Sequence, residues 1–405
     1  MIVIRAPPMT TGPSILIVAG EASADLHGAK VMAALKAHRP DAQVFGIGGS
    51  AMRAEGLDAI AHAEQISVAG LTEVLFALPR VLGIMRRLLK AASERRPSVA
   101  ILIDLPDFNM RVAKRLKKLG VPVVYYISPQ IWAWRQGRIK QIKELVSQML
   151  VVLPFEQSFY TERGVRARFV GHPLVEELPA QANRGDSRDA LGLPSSQGPV
   201  VAVLPGSRMQ EVNRHLPTML QALQLLKRRF PDLVAVLPIA STIPRALIDK
   251  MVEKVTVPIT LVEGRSTEAL VASDAAIVCS GTATLQTALL SRPMVVVYRV
   301  SWLTYHILKR LIKVAHISLV NLIAGHTVVP ELVQHEFTAA RVEKELSTLL
   351  ADSVTRVRLN QDFANVRKQL GGVGTAQRVA EVLETYLPEP NRGDGNAPTT
   401  GRLWG

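Results

Sequence analysis

The run Ile15-Leu16-Ile17-Val18-Ala19-Gly20-Glu21-Ala22-Ser23-Ala24-Asp25 decides the fold. Its first five residues are apolar without alternation, as a strand buried on both faces requires. Gly20 to Asp25 turn the chain, and a helical pattern then continues to about His38. Strand, small-residue turn and helix make the first half of a βα unit. The same alternation recurs outward from it. Val44–Ile47 runs into Gly48-Gly49, and Val99–Ile103, Val121–Ile127, Leu150–Leu153 and Arg168–Val170 complete a first series. A second series reads Val200–Leu204, Leu233–Leu237, Ile259–Val262, Ala275–Cys279 and Met294–Tyr298. Short apolar strands alternating with helices predict parallel sheets with right-handed crossovers.

Between the two series, residues 183–198 are rich in Gly, Pro, Ser, Asp and Asn and read as a linker. The expected organisation is α/β, with two Rossmann-like doubly wound domains, 14–182 and 199–387, facing a cleft. A flexible start (1–13) and a disordered tail (388–405) flank them, and the stretch from Phe337 to about Leu387 reads as helical. Ligands of such sheets bind at the carboxyl ends of the strands, near the point where the strand order reverses.

Composition bounds the partners. Lys and Arg number 48 against 34 Asp and Glu, a net charge of +14. Nucleic acid, an anionic membrane surface and anionic small substrates all fit such a charge. Aromatic residues are only 5%, and the basic residues sit beside Leu, Ile and Met rather than between stacking rings. No nucleic-acid partner is therefore expected. Cys279 is the single cysteine, which excludes an intramolecular disulfide. No run of 18 uninterrupted apolar residues predicts a transmembrane helix, and Met1–Pro13 lacks the apolar core of a signal peptide. No His, Cys, Asp or Glu cluster has metal-ligand spacing, so neither a metal nor any other cofactor is expected.

Six segments carry the chemistry. Gly20, Glu21, Ser23 and Asp25 open a helix, where small residues and backbone N–H groups suit an anion; an ordinary capped turn fits equally. Gly48 and Gly49 form a second glycine-rich turn without the full dinucleotide pattern. Asp104 and Asp107 end a buried strand, where a partly desolvated Asp104 is a good general base; helix capping by Asp107 is the plainer reading. Gly206, Ser207 and Arg208, followed by Glu211, and Ser280-Gly281-Thr282, followed by Gln286, are turns suited to a diphosphate. Gln130 and Trp132 belong to Ser128-Pro129-Gln130-Ile131-Trp132-Ala133-Trp134-Arg135, a stretch fit either to line a sugar or acyl pocket or to fill core.

Two stretches are amphipathic and basic. The first, Leu71 to Lys90, includes Leu71, Leu75, Leu78 and Leu82 with Arg86 and Arg87; the second is Trp302 to Lys313. Each fits a core-facing helix with a solvated basic face, or insertion at an anionic bilayer surface.

Taken together the chain resembles the lipid-A-disaccharide synthase family from about Ser14 to Leu387. The resemblance rests on VAGEASADLHGA (18–29), GIGG (46–49), LIDLPDFN (102–109), YYISPQIWAWR (125–135), LPFE (153–156), FVGHPL (169–174), LPGSR (204–208), SGTATL (280–285) and VVPEL (328–332). It implies a two-domain GT-B glycosyltransferase that moves 2,3-diacylglucosamine from UDP-2,3-diacylglucosamine to the 6-hydroxyl of 2,3-diacylglucosamine 1-phosphate, inverting the anomeric centre and releasing UDP. It also implies a monomer or homodimer, peripheral on the cytoplasmic face of the inner membrane. The family's essential Asp falls on Asp104, its Arg on Arg208, and an Asn near the nucleotide on Asn321. Three positions depart from the pattern. Ala24 replaces the usual Gly, Ala69 a common Met, and Gln286 the Glu that accepts both ribose hydroxyls. A related UDP-N-acetylglucosamine 2-epimerase or peptidoglycan glycosyltransferase is the nearest enzymatic alternative, and a non-catalytic basic membrane-binding protein the alternative from another class.

Overall fold

The computed structural model describes residues 12–66, 71–179, 183–193, 198–302, 304–306 and 314–389, with the side chains of 71–78 outside that description. The first sheet contains β1 (Ser14–Ala19), β2 (Gln43–Gly48), β3 (Asp58–His62), β4 (Val99–Ile103), β5 (Val123–Tyr126), β6 (Gln148–Val151) and β7 (Ala167–Phe169). Its order is β3-β2-β1-β4-β5-β6-β7, parallel throughout. The second contains β8 (Val200–Leu204), β9 (Val234–Ile239), β10 (Ile259–Glu263), β11 (Ala275–Cys279), β12 (Met294–Tyr298) and β13 (Glu331–Val333). Its order is β10-β9-β8-β11-β12-β13, also parallel. All five residues of β4, β8 and β11 are buried, which accounts for their unbroken apolar runs. The order reverses between β1 and β4 in one sheet and between β8 and β11 in the other.

Three features differ from the sequence expectation. The edge strands β3 and β13 lack the apolar signature because one face of each is open. The stretch read as a linker carries a helix, Arg184–Ala190, capped by Asn183, whose side chain accepts from Gly185 N. Arg188 fixes that helix to the second sheet through Asp274 (2.9 Å) and the Ala272 carbonyl (3.0 Å). The final helical stretch is broken into Ala339–Ala351, Ser353–Gln369 and Thr375–Glu384. Asp352 caps the second of these helices, and Gly371 and Gly374, both with positive φ, turn the chain before the third.

The last helix packs on helix Ala22–His38 of the first half. Arg378 Nε donates to the Val170 carbonyl at 2.8 Å, His172 N to the Leu370 carbonyl at 2.9 Å, and Gly374 N to Glu176 at 2.7 Å. The chain end thereby ties the two halves together.

The helix Leu71–Arg95 contains Pro79. Ile84, Leu88, Ala91 and Ala92 are buried in the core around β2 and β4, while Leu82, Arg86 and Arg87 are exposed. Leu71, Leu75 and Leu78 lie outside the residues whose side chains are described, as does Ala69 altogether. Among the described residues no helix is long and apolar enough to cross a membrane.

Candidate active site

At the first reversal point, β1 runs into Gly20 and β4 into Asp104, and Ala19 pairs with Ile103. Asp104 and Leu105 both take left-handed backbone, at φ 48° and 46°. Each such residue costs about 1–2 kcal/mol, so the surrounding structure must hold them. Asn109 Nδ2 donates to the Ile103 carbonyl at 3.1 Å and to the Asp104 carbonyl at 2.7 Å. The buried Tyr125 hydroxyl donates to the same Asp104 carbonyl at 2.5 Å. A Cβ on Gly20 would run into the Leu105 side chain, which explains glycine there.

Burial pushes the Asp104 carboxyl above the usual carboxylate range, and the nearby Glu21 charge adds to this; the Leu105 N–H and His27 oppose it. Among the described residues no cation is ion-paired with Asp104. A desolvated, unneutralised carboxylate at a sheet's carboxyl edge is equipped to accept a proton. Asn109 and Tyr125 fall within the sequence motifs but have no role legible there. Only the kinked backbone, invisible in a one-dimensional pattern, assigns them one. His27 likewise has no role legible in the motif that contains it. Its Nδ1 lies 3.4 Å from Glu177, which also pairs with Lys30 at 2.9 Å.

Several expected ligand contacts are corrected here. Asp25 is buried, and its carboxylate accepts from Gly49 N (2.6 Å), Ala51 N (2.9 Å) and Met52 N (3.1 Å). It therefore pins the second glycine turn, and the Gly49 N–H is spent on it. A Cβ on Gly48 would meet Leu57 and Met52, so that glycine serves packing. Asp107 is exposed and ion-paired with Arg138 at 2.7 Å.

Trp132 is buried, not a pocket wall; its indole N–H donates to Glu156 at 2.9 Å. Gln130 is exposed at the start of the short helix Ile131–Trp134. Ser23 is exposed in the first turn of helix Ala22–His38.

Glu156, the last residue of the L-P-F-E segment, staples the loop after β5. Its carboxylate accepts from Ser128 Oγ (2.6 Å), Trp132 Nε1 (2.9 Å) and Leu153 N (3.1 Å). Burial nevertheless pushes its pKa up to about 7, with those bonds opposing. The folded state thus holds a proton on Glu156 that the unfolded chain releases near its ordinary value of 4.5. Stability from this group is present at low pH and lost as pH rises through about 7, a loss of about 3 kcal/mol. His172 acts in the opposite sense, because burial lowers it to about 4. The difference between wild type and Glu156→Gln therefore isolates the effect. Denaturant midpoints from pH 5 to 8 should show the wild type losing ground to the variant as pH rises; a constant difference would remove Glu156 as the source.

At the second reversal point a cavity of about 390 Å³ is lined by residues following β8 (Gly206, Ser207, Arg208, Glu211) and β11 (Ser280, Gly281, Thr282, Gln286). Gly206 has φ 117° and Gly281 φ 152°, so both turns require glycine. The Arg208 side chain is 82% exposed and reaches Glu211 at 3.3 Å. Burial pushes the Cys279 thiol in this wall up to about 12, which leaves it neutral.

Two corrections arise at this cavity. Glu211 Oε2 accepts from Ser207 N (3.1 Å) and Arg208 N (3.2 Å), so Glu211 caps helix Met209–Arg229, and the Ser207 N–H is not free for a diphosphate. Asn321 does not line the cavity. It is fully buried, with Nδ2 donating to the Val329 carbonyl (2.9 Å) and Glu331 (2.8 Å), and Oδ1 accepting from Val328 N (2.8 Å) and Val329 N (3.0 Å). The structure thus gathers Gly20, Glu21 and Asp104 at one sheet edge and the two small-residue turns with Arg208 and Gln286 at the other. Among the described residues no group of three His, Cys, Asp or Glu side chains is placed to hold a metal ion.

Comparison with known proteins identifies the fold and the family. Among solved structures, a glycosyltransferase of kitacinnamycin superposes with a TM-score of 0.61 at 17% identity, covering 93% of this chain and 100% of that one. The UDP-GlcNAc 2-epimerase from Neisseria meningitidis, bound to UDP-GlcNAc, gives 0.59 at 11%, covering 92% and 99%. At such identities these neighbours establish the GT-B-like fold alone. Sequence relatives go further. The lipid-A-disaccharide synthase of Myxococcus xanthus is 50% identical over 380 residues, 94% of this chain and 99% of that protein. That of Pseudomonas aeruginosa is 45% identical over 377 residues, covering 93% and 100%. The model of the lipid-A-disaccharide synthetase family matches residues 15–384. With the family model and these relatives spanning both reversal points, the chain belongs to the lipid-A-disaccharide synthase family, UDP-sugar-dependent glycosyltransferases of lipid A biosynthesis.

Proposed function

We propose that Asp104 and Arg208 carry the family's transfer in this chain. The acceptor is 2,3-diacylglucosamine 1-phosphate, held by the first half, and the donor UDP-2,3-diacylglucosamine, held in the cavity of the second. Asp104 takes the proton from the acceptor 6-hydroxyl as that oxygen attacks the anomeric carbon. A single displacement inverts the centre and needs one base. The exposed Arg208 guanidinium meets the charge gathering on the leaving UDP, together with the N–H groups of Gly206, Gly281 and Thr282; the Ser280 N–H is spent on the Val297 carbonyl at 3.1 Å. The observation that carries this reading is the strained Asp104 at the first reversal point, its kink held by three side-chain bonds to the Ile103 and Asp104 carbonyls.

The exposed Leu82, Arg86 and Arg87 beside the buried Ile84 and Leu88 support a helix face lying on an anionic inner-membrane surface. No metal takes part in this scheme. Turnover of the two substrates in mild detergent with EDTA, read by mass spectrometry, should give the disaccharide 1-phosphate and equimolar UDP. Absence of product from folded protein, or product only after divalent metal is restored, would contradict it.

A further inference from the structure

Gln286 stands where a glutamate would accept both ribose hydroxyls, and its surroundings differ from what a carboxylate needs. Its Nε2 donates to Ser266 Oγ at 3.2 Å and to Thr267 Oγ1 at 3.0 Å, one amide proton for each hydroxyl. Ser266 lines the same cavity as Gln286. Gln286 Oε1 has no partner among the described residues and is not a buried orphan. Neither hydroxyl makes another side-chain bond among the described residues, and neither caps its helix. Helix Ser266–Ala272 starts from Arg265 without a side-chain cap bond. The pair is thus spent on Gln286.

We propose that Ser266 and Thr267 are specificity-determining residues that hold the Gln286 amide with Oε1 toward the nucleotide. Both lone pairs of Oε1 then accept from the vicinal ribose 2′- and 3′-hydroxyls. A carboxylate accepts through either oxygen, so its rotation about the last torsion matters little. An amide accepts through one oxygen only, and in the wrong orientation it presents donors. The hydroxyl pair holds the amide in the orientation found, with one acceptor for each amide proton; the reverse orientation would need both hydroxyls to turn and donate to a single oxygen while presenting amide donors to the ribose. Gln286 itself is neutral, so it forgoes charge-assisted bonds to the ribose but adds no further negative charge beside the diphosphate. This inference rests on the reading of the cavity as the UDP site.

The test is UDP binding to the whole protein by calorimetry, in a cycle of Ser266→Ala/Thr267→Ala with Gln286→Glu. The double alanine substitution should weaken UDP about tenfold with Gln286 present and by less than about twofold in the Gln286→Glu background, without change in melting temperature. With Gln286 present, it should also remove most of the wild type's preference for UDP over 2′-deoxy-UDP. Equal losses in both backgrounds, or no loss in either, would overturn the pairing while leaving the cavity as the UDP site. Failure of the wild type to bind UDP would overturn both.

Discussion

Replacing Asp104 by Asn is expected to lower kcat by about 10³-fold with little change in KM, the size of effect typical for removing a general base. Asn is the informative substitution because position 104 lies in the left-handed region, which Asn visits more readily than any other residue with a side chain except Asp and His. Alanine would combine loss of the base with backbone strain. Folding should survive, because the bonds that hold the kink end on main-chain carbonyls of Ile103 and Asp104, not on the carboxylate. Stability near neutral pH should even rise slightly. A carboxyl whose pKa is raised in the folded state penalises folding once it ionises, and a neutral amide does not. In the wild type, kcat/KM should climb with pH through an acid limb set by Asp104, displaced upward from an ordinary aspartate. Steady-state rates from pH 4 to 8, with a thermal melt on each protein, check both claims. Turnover within fivefold of wild type in a folded Asp104→Asn variant would take the base role away from this residue.

The central strands were legible because parallel strands buried on both faces leave no room for polar residues. The edge strands β3 and β13 were not, since Asp58, His62 and Glu331 face partial solvent and interrupt the pattern. The turns after β1, β4, β8 and β11 were legible as strand ends, and the strand order of the structure makes them the reversal points beside which Asp104, Arg208 and the cavity walls lie. What sequence could not supply was the destination of each polar side chain. Asp25 and Glu211 occupy positions where a ligand contact and a structural cap look identical in one dimension, since both need a short acidic residue near a helix start. Trp132 was ambiguous for a related reason. Its partner Glu156 lies 24 residues further on, and only the packing of the loop after β5 against the segment after β6 brings the two together.

Asn321 offers the sharpest separation of a structural role from a ligand-binding one. Its side chain makes four hydrogen bonds inside the protein and has no accessible surface. Two of them satisfy the N–H groups of Val328 and Val329, one the Val329 carbonyl, and one Glu331, which also accepts from Ile317 N, Ser318 N and Ser318 Oγ. Truncation to Ala strands these groups in a buried setting, at about 1–3 kcal/mol for each that finds no new partner. The expected sum is about 4 kcal/mol, or a melting temperature lower by about 10 °C. Asn321→Asp should fare no better, because it replaces the donor to Val329 O and Glu331 with a second carboxylate beside the first. In contrast, the UDP dissociation constant of Asn321→Ala, measured at low temperature where the variant remains folded, should stay within about twofold of wild type. A residue that held the nucleotide would give the reverse pattern: binding weakened by tenfold or more and the melt unmoved. Since the helix that Asn321 anchors, Leu319–Ala324, packs on helix Thr282–Leu289 of the cavity wall, activity at growth temperature should fall in Asn321→Ala in step with the folded fraction. Loss of turnover alone would therefore not reveal which role the residue plays, and the pairing of a melt with a low-temperature binding measurement does.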